Sequence, residues 1–180
     1  LILNGCKVQV SLNGATIPEF AKTVQVDFFE NKTSLGPPTM APLFSETWRD
    51  VVSRQTPLKL IKSNGDLVFE GYISDFQITP VAIQGNDKAA QSRLSITVFV
   101  KYTCSKQTGQ NFEDRFTRFT DFPATDNFQN RQDELMKEVF RQITEDIFNR
   151  AFNILIFSCP RYSYTKAGAW VYSLHCCIPK

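Results

Sequence analysis

Histidine is almost missing from this chain of 180 residues: His175 is the only one. The familiar catalytic and metal signatures are missing with it. There is no H-E-x-x-H, no C-x-x-C pair and no glycine-rich phosphate loop. No apolar run approaches the length of a membrane-spanning helix. No basic block marks a nucleic-acid binder, and the formal net charge is only +2. These absences exclude nucleic acid as an expected partner and give no reason to expect a cofactor. They also count against an enzyme. One cluster has metal-ligand chemistry, His175-Cys176-Cys177 with Cys159. Its spacing is not that of a known finger or ribbon, and adjacent cysteines rarely chelate one tetrahedral ion well, so no metal site is expected. A cysteine–histidine nucleophile pair in the same stretch is no better supported. Asp66, Glu70 and Asp75 fall on a strand, where solvated side chains are the simpler reading than catalysis.

Phenylalanine, in contrast, is abundant, at 16 residues. The length suits one domain with a sizeable core. The chain begins Leu-Ile-Leu-Asn-Gly-Cys. Leu3-Asn4-Gly5-Cys6 has the form of a bacterial lipobox, with an aliphatic residue, a small residue at the cut and the cysteine whose thiol receives a diacylglycerol. Leu1 to Leu3 then end an apolar signal core. The expected consequence is a mature protein starting at Cys6 and anchored by lipid at a membrane of the cell envelope. The alternative is a short apolar strand end with an ordinary buried cysteine. There are five cysteines, Cys6, Cys104, Cys159, Cys176 and Cys177. The odd count fits one being consumed by lipid but fixes no disulfide. Cys104 stands alone and reads as a small buried apolar residue.

After a lead-in over 7–22, the stretch from Thr23 to Asn31 alternates as a half-buried strand, with Val24, Val26 and Phe28 on one face. From Met40 to Gln55 the period becomes helical, with Leu43, Phe44, Thr47, Trp48, Val51 and Val52 on one side. Pro42 suits its first turn, and Thr56-Pro57 ends it. Leu58–Lys62, then Asn64-Gly65, then Leu67 onward to about Ile83 reads as a hairpin with a type I′ turn. Phe76 and Ile78 have the wrong parity for the face of Leu67, Phe69 and Ile73, which predicts a bulge near Ser74-Asp75. A polar loop at 84–91 follows. Leu94, Ile96, Val98, Val100, Tyr102 and Cys104 then alternate against Arg93, Ser95, Thr97, Lys101 and Thr103, with only Phe99 breaking the polar side, the pattern of an antiparallel strand with one solvated or partner-facing side. Thr108-Gly109 turns the chain into a strand from Phe112 to Phe122. Asn127 to Asn153 is the strongest helix, capped by Asn127 or Asn130, with Asp133 and Glu134 expected in its first turn. Residues 154–180 follow no period and are unassigned. The expected fold is a two-layer α+β domain over 7–153, a mostly antiparallel sheet of about four strands packed by two amphipathic helices.

From residue 3 to 153 the chain resembles the lipopolysaccharide-assembly lipoprotein family LptE, in its Bacteroidetes-type form. The resemblance rests on L-N-G-C, V-Q-V-D-F-F-E-N-K, the block N-G-D-L-V-F-E-G-Y-I-S-D-F-Q-I-T-P-V-A-I-Q-G-N, A-A-Q-S-R-L-S-I-T-V-F-V-K-Y-T, F-T-R-F-T-D-F, and D-E-L-M-K-E-V-F-R-Q-I-T-E-D-I-F-N-R-A. Residues 154–180 depart from it. The resemblance implies the same α+β layout and no catalysis. It implies a lipid-anchored protein on the periplasmic face of the outer membrane that helps an LptD-type β-barrel assemble, plugs it, and contacts lipopolysaccharide in transit. A structural lipoprotein subunit of another outer-membrane machine is the alternative. A barrel plug needs a polar, hydrogen-bonding surface, which the set from Arg93 to Thr103 provides. Lys59, Lys62, Arg93 and Lys101 are the candidate contacts to lipopolysaccharide phosphate or to the barrel. The competing reading of each is an ordinary solubilising charge.

Overall fold

The structure, a computed structural model, describes residues 17–81, 90–106 and 110–152. The elements are β1 (Thr23–Val26), β2 (Glu30–Asn31), α1 (Met40–Gln55), β3 (Lys59–Ile61), β4 (Leu67–Val81), β5 (Gln91–Cys104), β6 (Phe112–Pro123) and α2 (Phe128–Phe152). The strands form one six-stranded sheet in the order β3-β1-β4-β5-β6, with β2 also on β4. The α+β class expected from sequence holds. The strand count and the mostly antiparallel pairing need correction, because β1–β3, β1–β4 and β2–β4 are all parallel.

Both helices pack on one face. Trp48 of α1 meets Phe69 of β4 at 5.0 Å between ring centroids, Phe44 meets Phe140 of α2 at 5.1 Å, and Phe152 lies 6.1 Å from Phe69. Leu94, Ile96, Val98 and Val100 of β5 are fully buried beneath them. Each such side chain contributes roughly 1.5–3 kcal/mol by leaving water. Much of the phenylalanine excess is therefore core material, arranged largely edge-to-face or tilted. Cys104 is buried and free, as its isolated position implied.

Helix α1 has the limits its periodicity predicts. Thr56 ends it in an extended conformation, φ −128 and ψ 151, as a residue before proline should. Asn127 Oδ1 accepts the Gln129 N–H at 2.9 Å and caps α2. With the helix starting at Phe128, Asp133 and Glu134 lie beyond the first turn, which carries no acidic residue. The β4–β5 register shifts between Ile73 and Asp75, where parity placed a bulge. It brings Phe76 into the core, but Ile78 remains 41% exposed near the strand's end.

Two expectations fail for a shared reason. The stretch from Thr23 to Asn31 is not one strand. The chain leaves the ladder over 27–29, where the Phe29 N–H donates to Ser45 Oγ at 3.0 Å. That step puts Phe29 in the core and leaves Phe28, expected inside, 52% exposed. Nor do β3 and β4 form a hairpin: β1 lies between them. Asn64 takes φ 59, but Gly65 is not in the left-handed region, so no type I′ turn forms. Gly65 serves a close approach instead, since a Cβ there would sit 2.7 Å from the Gln25 backbone nitrogen. Asp66 then locks β1 into the gap. Its carboxylate accepts the Lys22 and Thr23 N–H groups and the Thr23 hydroxyl, at 2.7–3.1 Å, while its own N–H donates to Thr23 Oγ at 3.0 Å.

Candidate functional site

Helices cover one face of the sheet, so the site to consider is the other. Strict alternation along β5 sends Arg93, Ser95, Thr97, Phe99, Lys101 and Thr103 to that outer face, all half-buried. Their neighbours come from the register. Glu70 and Glu113 flank Lys101, Tyr72 and Arg115 flank Phe99, Thr117 lies beside Thr97, and Asp121 beside Arg93.

These neighbours neutralise one another. Arg93 donates to both oxygens of Asp121, at 2.7 and 2.9 Å, and its guanidinium lies 3.7 Å over the Phe119 ring. These hydrogen bonds, and then the opposite charge, keep the Asp121 carboxyl below its ordinary range and raise Arg93. Lys101 Nζ stands 3.5 Å from Glu70. The Thr97 and Thr117 hydroxyls hydrogen-bond at 2.9 Å. Tyr72 and Phe99 stack at 5.0 Å, with Lys32 4.2 Å over Tyr72 and Arg115 5.8 Å over Phe99. The result is a mixed-charge, hydrogen-bonded surface rather than a basic patch.

The four candidate cations do not converge. Arg93 and Lys101 are eight residues apart on β5, so on the order of 27 Å separates them at strand rise. Lys59 lies on β3, three strand positions from β5, and Lys62 just beyond it; both are exposed and neither enters an ion pair among the described residues. Sequence reasoning reached the outward parity of β5 but missed Asp121, Tyr72, Lys32 and Arg115. Only the cross-strand register brings these to it.

The other candidates resolve structurally. Asp66 holds β1, Glu70 pairs with Lys101, and Asp75 accepts the Phe76 N–H and the Gln77 side-chain amide, both at 2.9 Å. A shallow recess at the bulge is lined by Lys32, Thr33, Leu35, Ser74 and Asp75 among others. It is a polar dent, unlike the apolar cavity of a small-molecule site. Among the described residues no group of three histidine, cysteine or acidic side chains could hold a metal ion, and no helix is long and apolar enough to cross a membrane. Cys6, His175, Cys159, Cys176, Cys177, the Thr108-Gly109 turn and the loop at 84–91, except its last two residues, lie outside the described residues.

The family model for LptE, lipopolysaccharide-assembly, matches residues 21–151. The chain belongs to the LptE family. The match takes in all eight elements of the fold but for the last residue of α2. Family membership implies a role in lipopolysaccharide assembly and gives no sign of an enzyme. No curated protein matches the chain. Among solved structures it is similar to a minor lipoprotein from Acinetobacter baumannii, at 11% identity over 73% of this chain and 96% of that one, TM-score 0.46. It is also similar to the hypothetical protein CT253 from Chlamydia trachomatis, at 12% identity over 73% and 98%, TM-score 0.49. A third is lipoprotein B from Nitrosomonas europaea, at 12% identity over 81% and 91%, TM-score 0.45.

Proposed function

We propose that this LptE-family chain is a non-catalytic outer-membrane lipoprotein, anchored through Cys6 on the periplasmic face, that docks into an LptD-type β-barrel and assists its assembly and lipopolysaccharide transport. One observation supports it most: the outer sheet face is largely polar, its aromatic rings lie beside cations, and the two β5 cations are paired with acids. A barrel lumen is lined by polar side chains. A face on which Arg93 and Lys101 are already matched, by Asp121 and Glu70, can meet such a wall without stranding those charges. In this reading Arg93 and Lys101 contact the barrel, and Lys59 and Lys62 at the β3 margin keep their charge for lipopolysaccharide phosphate.

The test is an affinity pull-down of the tagged protein from outer membranes, with mass spectrometry of what accompanies it. Charge reversal is a poor probe, because an acid at 93 would face Asp121 and an acid at 101 would face Glu70. Arg93→Gln with Lys101→Gln removes charge and keeps hydrogen bonding. The double variant should melt within a few degrees of the wild type yet recover several-fold less LptD-type barrel, most clearly at low salt. Unchanged barrel recovery removes this face from the mechanism. Recovery of a different outer-membrane complex with the wild type replaces the proposal with the alternative of a subunit of another machine.

A further inference from the structure

The open edge of the sheet is a surface that docking through the outer face leaves unused. β6 runs 12 residues, with β5 on one side and no described strand on the other. Natural proteins blunt such edges with bulges, charged side chains, prolines or short strands. The pairing of β6 with β5 shows no register shift, and its one proline, Pro123, stands at the end. It does carry five charges, Glu113, Asp114, Arg115, Arg118 and Asp121, but both signs are present, so a second copy of the strand can match them.

Hydrogen bonds show which backbone groups are free. The Ser105 N–H donates toward β4, to the Asp66 carbonyl, while the Ala124 N–H donates to the Ala90 carbonyl, each at 2.9 Å. Backbone groups alternate sides along a strand. Even-numbered residues of β5 therefore face β6, and through the register their partners Phe112, Asp114, Phe116 and Arg118 face back. Glu113, Arg115, Thr117 and Phe119 are left aiming their N–H and C=O groups outward.

We propose that this edge pairs with a second copy of the chain, β6 antiparallel to β6 about a two-fold axis at Phe116. This register sets Arg115 opposite Thr117 of the second copy, both with outward backbone groups. It also sets Asp114 opposite Arg118 twice by symmetry. Other centres are poorer. Centring on Thr117 opposes Glu113 to Asp121, and centring on Arg115 or Arg118 opposes arginine to arginine. Both charges lie on the helix side of the sheet, where Arg118 already pairs with Asp146 at 2.5 Å and Asp114 with Arg150 at 3.1 Å. Pairing the edges joins these into a row of alternating sign, Asp146, Arg118, Asp114, Arg150, crossing the seam. Phe116, half-buried in one subunit, meets its own copy at the centre. The addition lies in the plane of the sheet and leaves the outer face uncovered, but it doubles the sheet's width, so the dimer belongs to the chain before it enters a barrel and is tested on the purified protein, separately from barrel docking.

A strand-to-strand seam is small, and the dimer should be weak, with Kd in the micromolar range or somewhat above. The test is sedimentation equilibrium of the full chain carrying Cys6→Ser, so that no acyl chain drives association, in reducing buffer to remove disulfide-linked species. Thr117→Pro deletes an outward N–H that the subunit does not use, which an edge strand tolerates. It should weaken the dimer roughly tenfold or more with the circular dichroism unchanged. Asp114→Arg and Arg118→Asp, each checked for an unchanged circular dichroism spectrum because the new charge meets Arg150 or Asp146 of its own subunit, should each weaken self-association, whereas an equimolar mixture of these two variants should form a heterodimer with at least the wild-type affinity. That mixture decides the matter even if the proline variant fails to fold. A wild-type chain monomeric at about 500 µM, a dimer indifferent to Thr117→Pro, or variants that do not rescue each other would each overturn the proposal.

Discussion

Replacing Ser45 with alanine should cost far more than the loss of one helix-surface hydroxyl. Ser45 is fully buried on α1. Its hydroxyl donates back to the Ala41 carbonyl at 2.9 Å and accepts the Phe29 N–H at 3.0 Å. The first bond is dispensable, because that carbonyl belongs to the helix ladder. The second is not, because Phe29 is fully buried where the chain has left the sheet. Alanine leaves a buried N–H without an acceptor, a penalty of about 1–3 kcal/mol. The better helix propensity of alanine returns roughly 0.5 kcal/mol at most. Thr47→Ala is the control: its hydroxyl also bonds back one turn, to Leu43 at 2.7 Å, but supports nothing else, so its cost should stay below about 0.5 kcal/mol. Urea unfolding followed by circular dichroism gives both values, and each kcal/mol should move Tm by roughly 3–5 °C in a domain of this size. Hydrogen exchange should show Phe29 losing protection in Ser45→Ala alone. Equal costs for the two variants, or a Phe29 amide as protected as before, would refute the claim that Ser45 holds the step between β1 and β2.

Gly71→Ala should destabilise by about 1–3 kcal/mol or more, since a Cβ there would collide with the Phe99 backbone oxygen and the Phe29 ring; thermal melting measures it. Asp66 is held below the ordinary carboxylate value of 3.8, chiefly by the Lys22 backbone N–H and then the Thr23 hydroxyl. A depressed folded-state pKa gives stability that is present above the unfolded value and lost as pH falls through the folded one. The stability gap between wild type and Asp66→Asn should therefore be constant near neutrality and narrow below about pH 4, as urea titrations at stepped pH would read.

Much of the fold was readable where a single face is buried. In β5 every second residue from Leu94 to Cys104 is at most 1% exposed, so period and structure agree. The bulge was readable for the same reason, because Ile73 and Phe76 cannot both face the core without an extra residue between them. Period gave no help at Phe28-Phe29, two adjacent rings with one place in the core. What decides between them is Ser45, 16 residues away. The Asn64-Gly65 turn failed similarly. Its local chemistry fits a two-residue hairpin, but Thr23, 43 residues upstream, exchanges hydrogen bonds with Asp66, and β1 fills the space a hairpin would close. The candidate site divides along the same line: alternation marks Arg93 and Lys101 as outward, while pairing with Asp121 and Glu70 depends on strands 28 and 31 residues distant in sequence.

That pairing changes what the outer face is suited to bind. A phosphate-binding surface gathers cations whose charge is unspent, and the strongest such contacts use a bidentate arginine. Here Arg93 already spends its fork on Asp121, with a ring beneath it. Taking it for phosphate would strand Asp121 beside the incoming anion. Lys101 lies between Glu70 and Glu113, which repel an anion in the same way. A wall of mixed hydrogen-bonding groups imposes neither penalty, since the pairs remain intact and the hydroxyls of Ser95, Thr97 and Thr103 offer both donors and acceptors. On the proposed reading, β5 is therefore the barrel-facing strand, and phosphate contact falls to cations outside it, with Lys59 and Lys62 at the opposite margin of the sheet.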